Sequence, residues 1–174
     1  MSAPTRPTRE QLLAFLPAEV ADRVLASAED LLAGRRLKVS VLSCDVSGFR
    51  GLVASHPGEA LDFLNGLLAG IAAEIEAELG TLMSFPGDGA LAVFGAPLAD
   101  PAHRERADRA AAAIAGPVIE RARARLEAGG MPEVGIDVAV ESGEVLAGMI
   151  GAEPRWEYAA IGEATSRAIA RTTG

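Results

Sequence analysis

With Cys44 as its one cysteine, the chain cannot form an internal disulfide, and a reducing, cytoplasmic setting is expected. Aromatic residues make up only 4% of the 174, against 49% hydrophobic residues, so the core must be built from Ala, Leu, Val and Ile. Positive charge is also short. The formal net charge of -8 argues against nucleic acid and anionic membrane surfaces as partners, since both require a basic face. No apolar run approaches a membrane span, and Ser2 to Glu10 lacks the apolar centre of a signal peptide. Internal repeats and low-complexity linkers are missing. What remains is a chain of a length that suits one domain, with an acidic balance compatible with capture of a divalent cation.

Residues 1–8 read as a tail. From Arg9 to Ala33, leucines and valines recur at helical spacing, and Pro17 divides them into two helices. Leu37 to Asp45 is a buried strand. Pro57 to Leu79 is an amphipathic helix whose stripe is Ala60, Phe63, Leu64, Leu67, Leu68, Ile71 and Ile75, with Gly80 as its stop. Thr81–Phe85 and Ala90–Phe94 form a hairpin around Pro86-Gly87-Asp88-Gly89. His103 to Glu127 is one Ala- and Arg-rich helix with a solvated basic face. Val134–Val140 and Val145–Ile150 read as a second hairpin around Glu141-Ser142-Gly143-Glu144, followed by a short strand at Tyr158–Ile161 and a helix at Glu163–Thr172.

This order predicts an α/β sandwich of the ferredoxin-like βαββαβ kind, with an antiparallel sheet and both long helices on one face. In that topology the first two strands run the same way and the third lies reversed between them. The C-terminal end of the first strand and the turn of the first hairpin then share a sheet edge. Asp45 and Asp88 become neighbours there. Two close carboxylates repel unless a cation or a proton intervenes, and hard oxygen ligands suit Mg²⁺ or Mn²⁺. Taken without that topology, Asp45 reads as a helix cap and Asp88 as a turn residue. His56 and His103, beside prolines at helix starts, are expected on the surface. Cys44 reads as a small buried residue, and Trp156 and Tyr158 as packing or dimer-contact residues.

In order along the chain, Leu42-Ser43-Cys44-Asp45-Val46-Ser47-Gly48-Phe49, Phe85-Pro86-Gly87-Asp88-Gly89-Ala90 through Pro97, Val140-Glu141-Ser142-Gly143-Glu144-Val145 through Gly151, and Glu157-Tyr158-Ala159-Ala160-Ile161-Gly162 resemble the class III nucleotidyl cyclases, the adenylyl and guanylyl cyclase catalytic domain. The leader Leu13-Ala14-Phe15-Leu16-Pro17 resembles the segment before many bacterial cyclase domains. The likeness spans about residues 10–172. It divides the chain into a tail and helical leader (1–34) and a cyclase homology domain (35–174) whose far end reads as truncated, because Gly174 precedes the family's closing strands.

The resemblance implies that Asp45 and Asp88 hold two Mg²⁺ or Mn²⁺ ions. The ribose 3′-hydroxyl of ATP or GTP would attack the α-phosphate, and pyrophosphate would leave. Backbone amides of Val46, Ser47, Gly48 and Phe49 would cradle phosphate, and Arg155 would stand in the place of a phosphate-contacting basic residue. It also implies sites shared across a head-to-tail dimer. Four positions depart from the pattern. Ser84 replaces the base-selecting lysine, and Ala159 its acidic or threonine partner. Ser166 replaces the ribose-orienting asparagine, and Ala170 the arginine that stabilises the transition-state phosphate, with Arg167 and Arg171 flanking out of register. This lopsided loss matches the metal-bearing half of a cyclase, paired with itself as a homodimer or with a complementary half as a heterodimer. The alternative is a silent pseudo-cyclase that binds nucleotide or dimerises; a ferredoxin-like regulatory domain without nucleotide would leave the carboxylate pair unexplained.

Overall fold

Two rows of side chains on one strand set the layering. The computed structural model of the chain describes residues 7–27, 29–152 and 155–173, with the side chains of all of these except 152, 155 and 156. In it, β1 (Arg35–Asp45) alternates Ser40, Leu42 and Cys44 with Val39, Val41 and Ser43, and all six are buried. A strand with both faces buried must be covered by a layer on each side.

The Leu42–Cys44 face packs against α3 (Phe49–Ser55), α4 (Pro57–Ala77), α5 (His103–Ala113) and α6 (Ile119–Ala128). The Val39–Val41 face packs against α1 (Arg9–Leu13), α2 (Ala18–Ala26) and α7 (Glu163–Thr172). The other strands are β2 (Thr81–Ser84), β3 (Ala90–Phe94), β4 (Asp137–Ala152) and β5 (Arg155–Ile161). The sheet order is β2-β3-β1-β4-β5, with every neighbouring pair antiparallel. β1 and β2 therefore run the same way with β3 reversed between them, as the split βαβ reading requires. The two edge strands, β2 and β5, also come into contact, so the sheet coils strongly.

α4 begins with Pro57 at its first turn, where a missing N–H is harmless, and buries Ala60, Phe63, Leu64, Leu67, Ile71 and Ile75. Gly80 follows it for want of space rather than for a left-handed backbone. A Cβ there would meet the Phe94 ring at 2.7 Å, while Leu79 is the residue that adopts positive φ (58°).

Three sequence expectations are corrected. The Glu141–Glu144 hairpin does not form. β4 runs unbroken through it, because β1 offers eleven consecutive partners, from Arg35 opposite Ala147 to Asp45 opposite Asp137. The hairpin comes later, between β4 and β5. The long basic helix is not continuous either: a π-helical turn at Ile114–Val118 separates α5 from α6, because Pro117 has no N–H to give the helical ladder. Nor is His103 a free surface residue. Its Nδ1 lies 2.9 Å from the hydroxyl of fully buried Ser40, which meets the Ser142 hydroxyl at 2.7 Å.

The leader helices are part of the second core. Leu12, Leu16, Val20 and Val24 are buried in it. The Leu82 N–H donates to the Phe15 carbonyl at 3.0 Å, and the Phe15 ring stacks on Tyr158 with centroids 6.0 Å apart. Tyr158 is thus a packing residue.

Candidate metal and nucleotide site

Asp45 is the last residue of β1, and the β2–β3 turn closes over it. Cys44 pairs with Ala90, so Gly89 falls opposite Asp45 and Asp88 lies one residue beyond. The approach is close. A Cβ on Gly89 would overlap the Cys44 carbonyl oxygen and lie 3.3 Å from the Asp45 Cα, so this position admits only glycine. Gly87, in the same turn, has φ of 62°. The turn residues that looked like simple punctuation thus press the Asp88 segment onto the end of β1.

The carboxylates act on each other. Burial, then the charges of Asp88 and of Asp137, hold the Asp45 carboxyl above the ordinary carboxylate range, with Arg50 opposing them. Asp137 and Arg50 are the two site residues that sequence reasoning missed. Asp137 opens β4 directly across from Asp45. Its signal was an acidic residue inside the apolar run Val134–Val140, and it could be read only with the β1–β4 register in hand.

Three carboxylates whose charges collect at one sheet edge fit a cation. Among the described residues, no set of three or more His, Cys, Asp or Glu side chains is placed to grip one ion. What the chain offers is carboxylates with the rest of a coordination sphere open. That matches Mg²⁺, which keeps waters and takes one or two carboxylates together with substrate phosphates rather than a protein cage.

The turn after β1 is fixed from β4's side. Ser47 and Gly135 exchange backbone hydrogen bonds, 3.1 Å from the Ser47 N–H and 2.8 Å from the Gly135 N–H. Gly48 turns left-handed (φ 83°), and a Cβ on it would lie 3.1 Å from the Glu133 carbonyl oxygen. α3 starts at Phe49. The Ser47 amide is therefore spent on Gly135, which takes it out of the expected phosphate cradle and leaves Val46, Gly48 and Phe49. Val46 is itself buried. Burial pushes the Cys44 thiol up to about 11, with Ala90's N–H opposing and Asp45 adding, so it is an inert packing group.

The complementary positions sit elsewhere. Ser84 ends β2 opposite Leu91, and Ala159 lies in β5 opposite Gly148, on the two edges that meet as the sheet coils. Ser166 and Ala170 are exposed on α7. The flanking arginines are engaged: Arg167 lies 3.2 Å and Arg171 2.6 Å from Glu141, whose carboxyl their hydrogen bonds hold low, Arg171 the more strongly. Arg155 opens β5, and its side chain lies outside the described residues.

Residues 32–172 match the adenylate and guanylate cyclase catalytic domain. The chain belongs to that family. This cyclase domain is 33% identical over 164 residues to Rv1318c, an uncharacterized protein of Mycobacterium tuberculosis, covering 92% of the present chain and 29% of the relative. It thus spans less than a third of the length of that relative. Among solved structures, the guanylyl cyclase Cya2 superposes with a TM-score of 0.74 at 26% identity, covering 80% of this chain and 71% of the other. The adenylyl cyclase CyaB from P. aeruginosa superposes at 0.73 with 27% identity, covering 79% and 72%. Cyclases of both base preferences thus share its fold. Among the described residues, no helix is long and apolar enough to cross a membrane.

Proposed function

We propose that this cyclase domain is the metal-bearing half of a nucleotidyl cyclase site. It would convert ATP or GTP to a cyclic nucleotide and pyrophosphate weakly by itself, and efficiently when a second chain completes the site. The observation that carries the reading is the packing of the Asp88 turn onto the end of β1, which joins Asp45 and Asp88 in a cyclase fold.

Bound Mg²⁺ or Mn²⁺ would supply Lewis-acid stabilisation of the charge that builds on the reacting phosphates. The chain's own part is positioning. Asp45 and Asp88 hold the ions at the end of a rigid strand. The Val46–Phe49 turn, with Arg155 as a further candidate, receives phosphate oxygens. Buried Cys44 and Leu42 keep β1 from shifting. Ser84 and Ala159 give a base little to recognise, because alanine has no hydrogen-bonding side chain and serine only a short hydroxyl. Ala170 gives a transition-state phosphate no charge. A self-paired dimer would repeat those gaps in both sites.

That same set of gaps supports a second reading, a pseudo-cyclase that binds nucleotide without turning it over. Mass spectrometry separates the two. Purified chain with Mn²⁺ and ATP or GTP should release a low level of cyclic nucleotide that disappears in Asp45→Ala. Mn²⁺-dependent nucleotide binding without product would favour the pseudo-cyclase, since the first reading expects weak turnover from the self-paired chain. Absence of both binding and product would remove the nucleotide site.

A further inference from the structure

We propose that Arg50 grips the phosphates of the bound nucleotide, so that the metal-bearing half carries its own phosphate cation. The inference rests on the nucleotide-site reading above and names a residue for it.

Arg50 occupies the first turn of α3, five residues after Asp45. The turn that carries it cannot drift, because the Ser47–Gly135 backbone pair and the tight seat of Gly48 over Glu133 fix it against the β4 lead-in. Its charge opposes the raised proton affinity of Asp45, and among the described residues it is the one cation that does so. Yet Arg50 is exposed and its guanidinium has no ion pair or hydrogen bond among the described residues. In a chain of net charge -8, an arginine five residues from Asp45 that pairs with no carboxylate among the described residues is a donor set left open.

The chemistry suits a polyphosphate. A guanidinium presents planar, paired donors that match two phosphate oxygens, and it stays charged at every working pH. It also replaces what the backbone has lost, since the Ser47 amide is committed to Gly135. The other cations are less available: Arg123, at the same turn, already donates to the Val134 carbonyl and pairs with Glu133, and recruiting Arg167 or Arg171 would strip Glu141 of its partners.

The test is calorimetric titration of the full chain with Mn²⁺ alone and with Mn²⁺ plus inorganic triphosphate. It compares wild type, Arg50→Gln, Arg50→Lys and, as a control for general surface charge, Arg121→Gln. Arg50→Gln should weaken triphosphate binding about ten- to a hundred-fold. It should leave Mn²⁺ binding unchanged or tighter, because a repelling cation is gone from beside the carboxylates. Arg50→Lys should recover part of the loss, and Arg121→Gln should bind as wild type. A merely structural role would weaken both ligands together and lower the melting temperature. Wild-type triphosphate affinity in Arg50→Gln would overturn this inference alone. A wild-type chain that binds Mn²⁺ but no triphosphate would overturn the nucleotide-site reading and this inference with it.

Discussion

Asp45 is a carboxylate that the fold makes uncomfortable. Burial and the charges of Asp88 and Asp137 raise its proton affinity above that of the same residue in the unfolded chain. Between the ordinary carboxylate value and the raised one, the folded chain binds more protons. Stability is therefore full below that window and falls as pH rises through it. Substituting Asp45→Asn removes the slope. Without metal at pH 7, the variant should melt about 1–2 °C above wild type, because a solvent-screened contact of this kind is worth well under 1 kcal/mol. Well below pH 4 the two should coincide. Adding Mn²⁺ should invert the order, raising the wild-type melting temperature and leaving the variant where it was. Scanning calorimetry with and without Mn²⁺ decides it. An apo variant less stable than wild type would mean that Asp45 is there to cap the α3 entry and not to hold an ion.

At the scale of elements, the β2–β3 turn is the clearest case of a site built by backbone. Gly87 and Gly89 look alike in sequence, but their reasons differ. Gly87 has positive φ and open space, so Gly87→Ala should cost about 1–2 kcal/mol of stability and leave Mn²⁺ binding nearly intact. Gly89 faces the Cys44 carbonyl, so Gly89→Ala must push the turn off β1. It should cost about 2–3 kcal/mol and also weaken Mn²⁺ binding, because Asp88 moves with the turn. Denaturant melts paired with Mn²⁺ titrations separate the two effects; equal Mn²⁺ affinity in both variants would show that Asp88 does not depend on this contact. The meeting of Asp45 and Asp88 was legible in the sequence, because strand order and direction follow from the split βαβ pattern. Asp137 was not. It depends on the length of β4, and Glu141-Ser142-Gly143-Glu144 has the composition of a turn. Eleven register partners on β1 override that local preference, and only the assembled sheet displays them. The π-helical turn was hidden for the opposite reason: Gly116-Pro117 was visible, but apolar periodicity continues through Ile114, Val118 and Ile119.

For the whole molecule, the question is how one chain can keep the two carboxylates proposed to hold metal and lack the residues that the resemblance expects beside them. The leader was legible as two helices divided at Pro17, and motif order led to the family. The availability of Arg167 and Arg171 was not legible, because Glu141 belongs to a strand and the arginines to a helix more than twenty residues on. With both engaged over β4, neither substitutes freely for the charge that the resemblance expects at position 170. A complementary chain can be built to test this. Ser84→Lys, Ala159→Thr, Ser166→Asn and Ala170→Arg, combined with Asp45→Ala and Asp88→Ala, give a chain with the second set of functions and no metal carboxylates. By itself it should be inactive, and the natural chain should be feeble. Mixed and allowed to exchange, about half of the pairs in a dimer-forming sample would join one of each and hold one complete site. Product formation should then rise on the order of 10²-fold over either chain alone, the scale of losing one transition-state donor. Energy transfer between differently labelled chains would report whether mixed pairs form. Mixed pairs without product would mean that the four positions are misassigned or that the site needs strands beyond this chain, and supplying a longer complementary chain would tell those two causes apart.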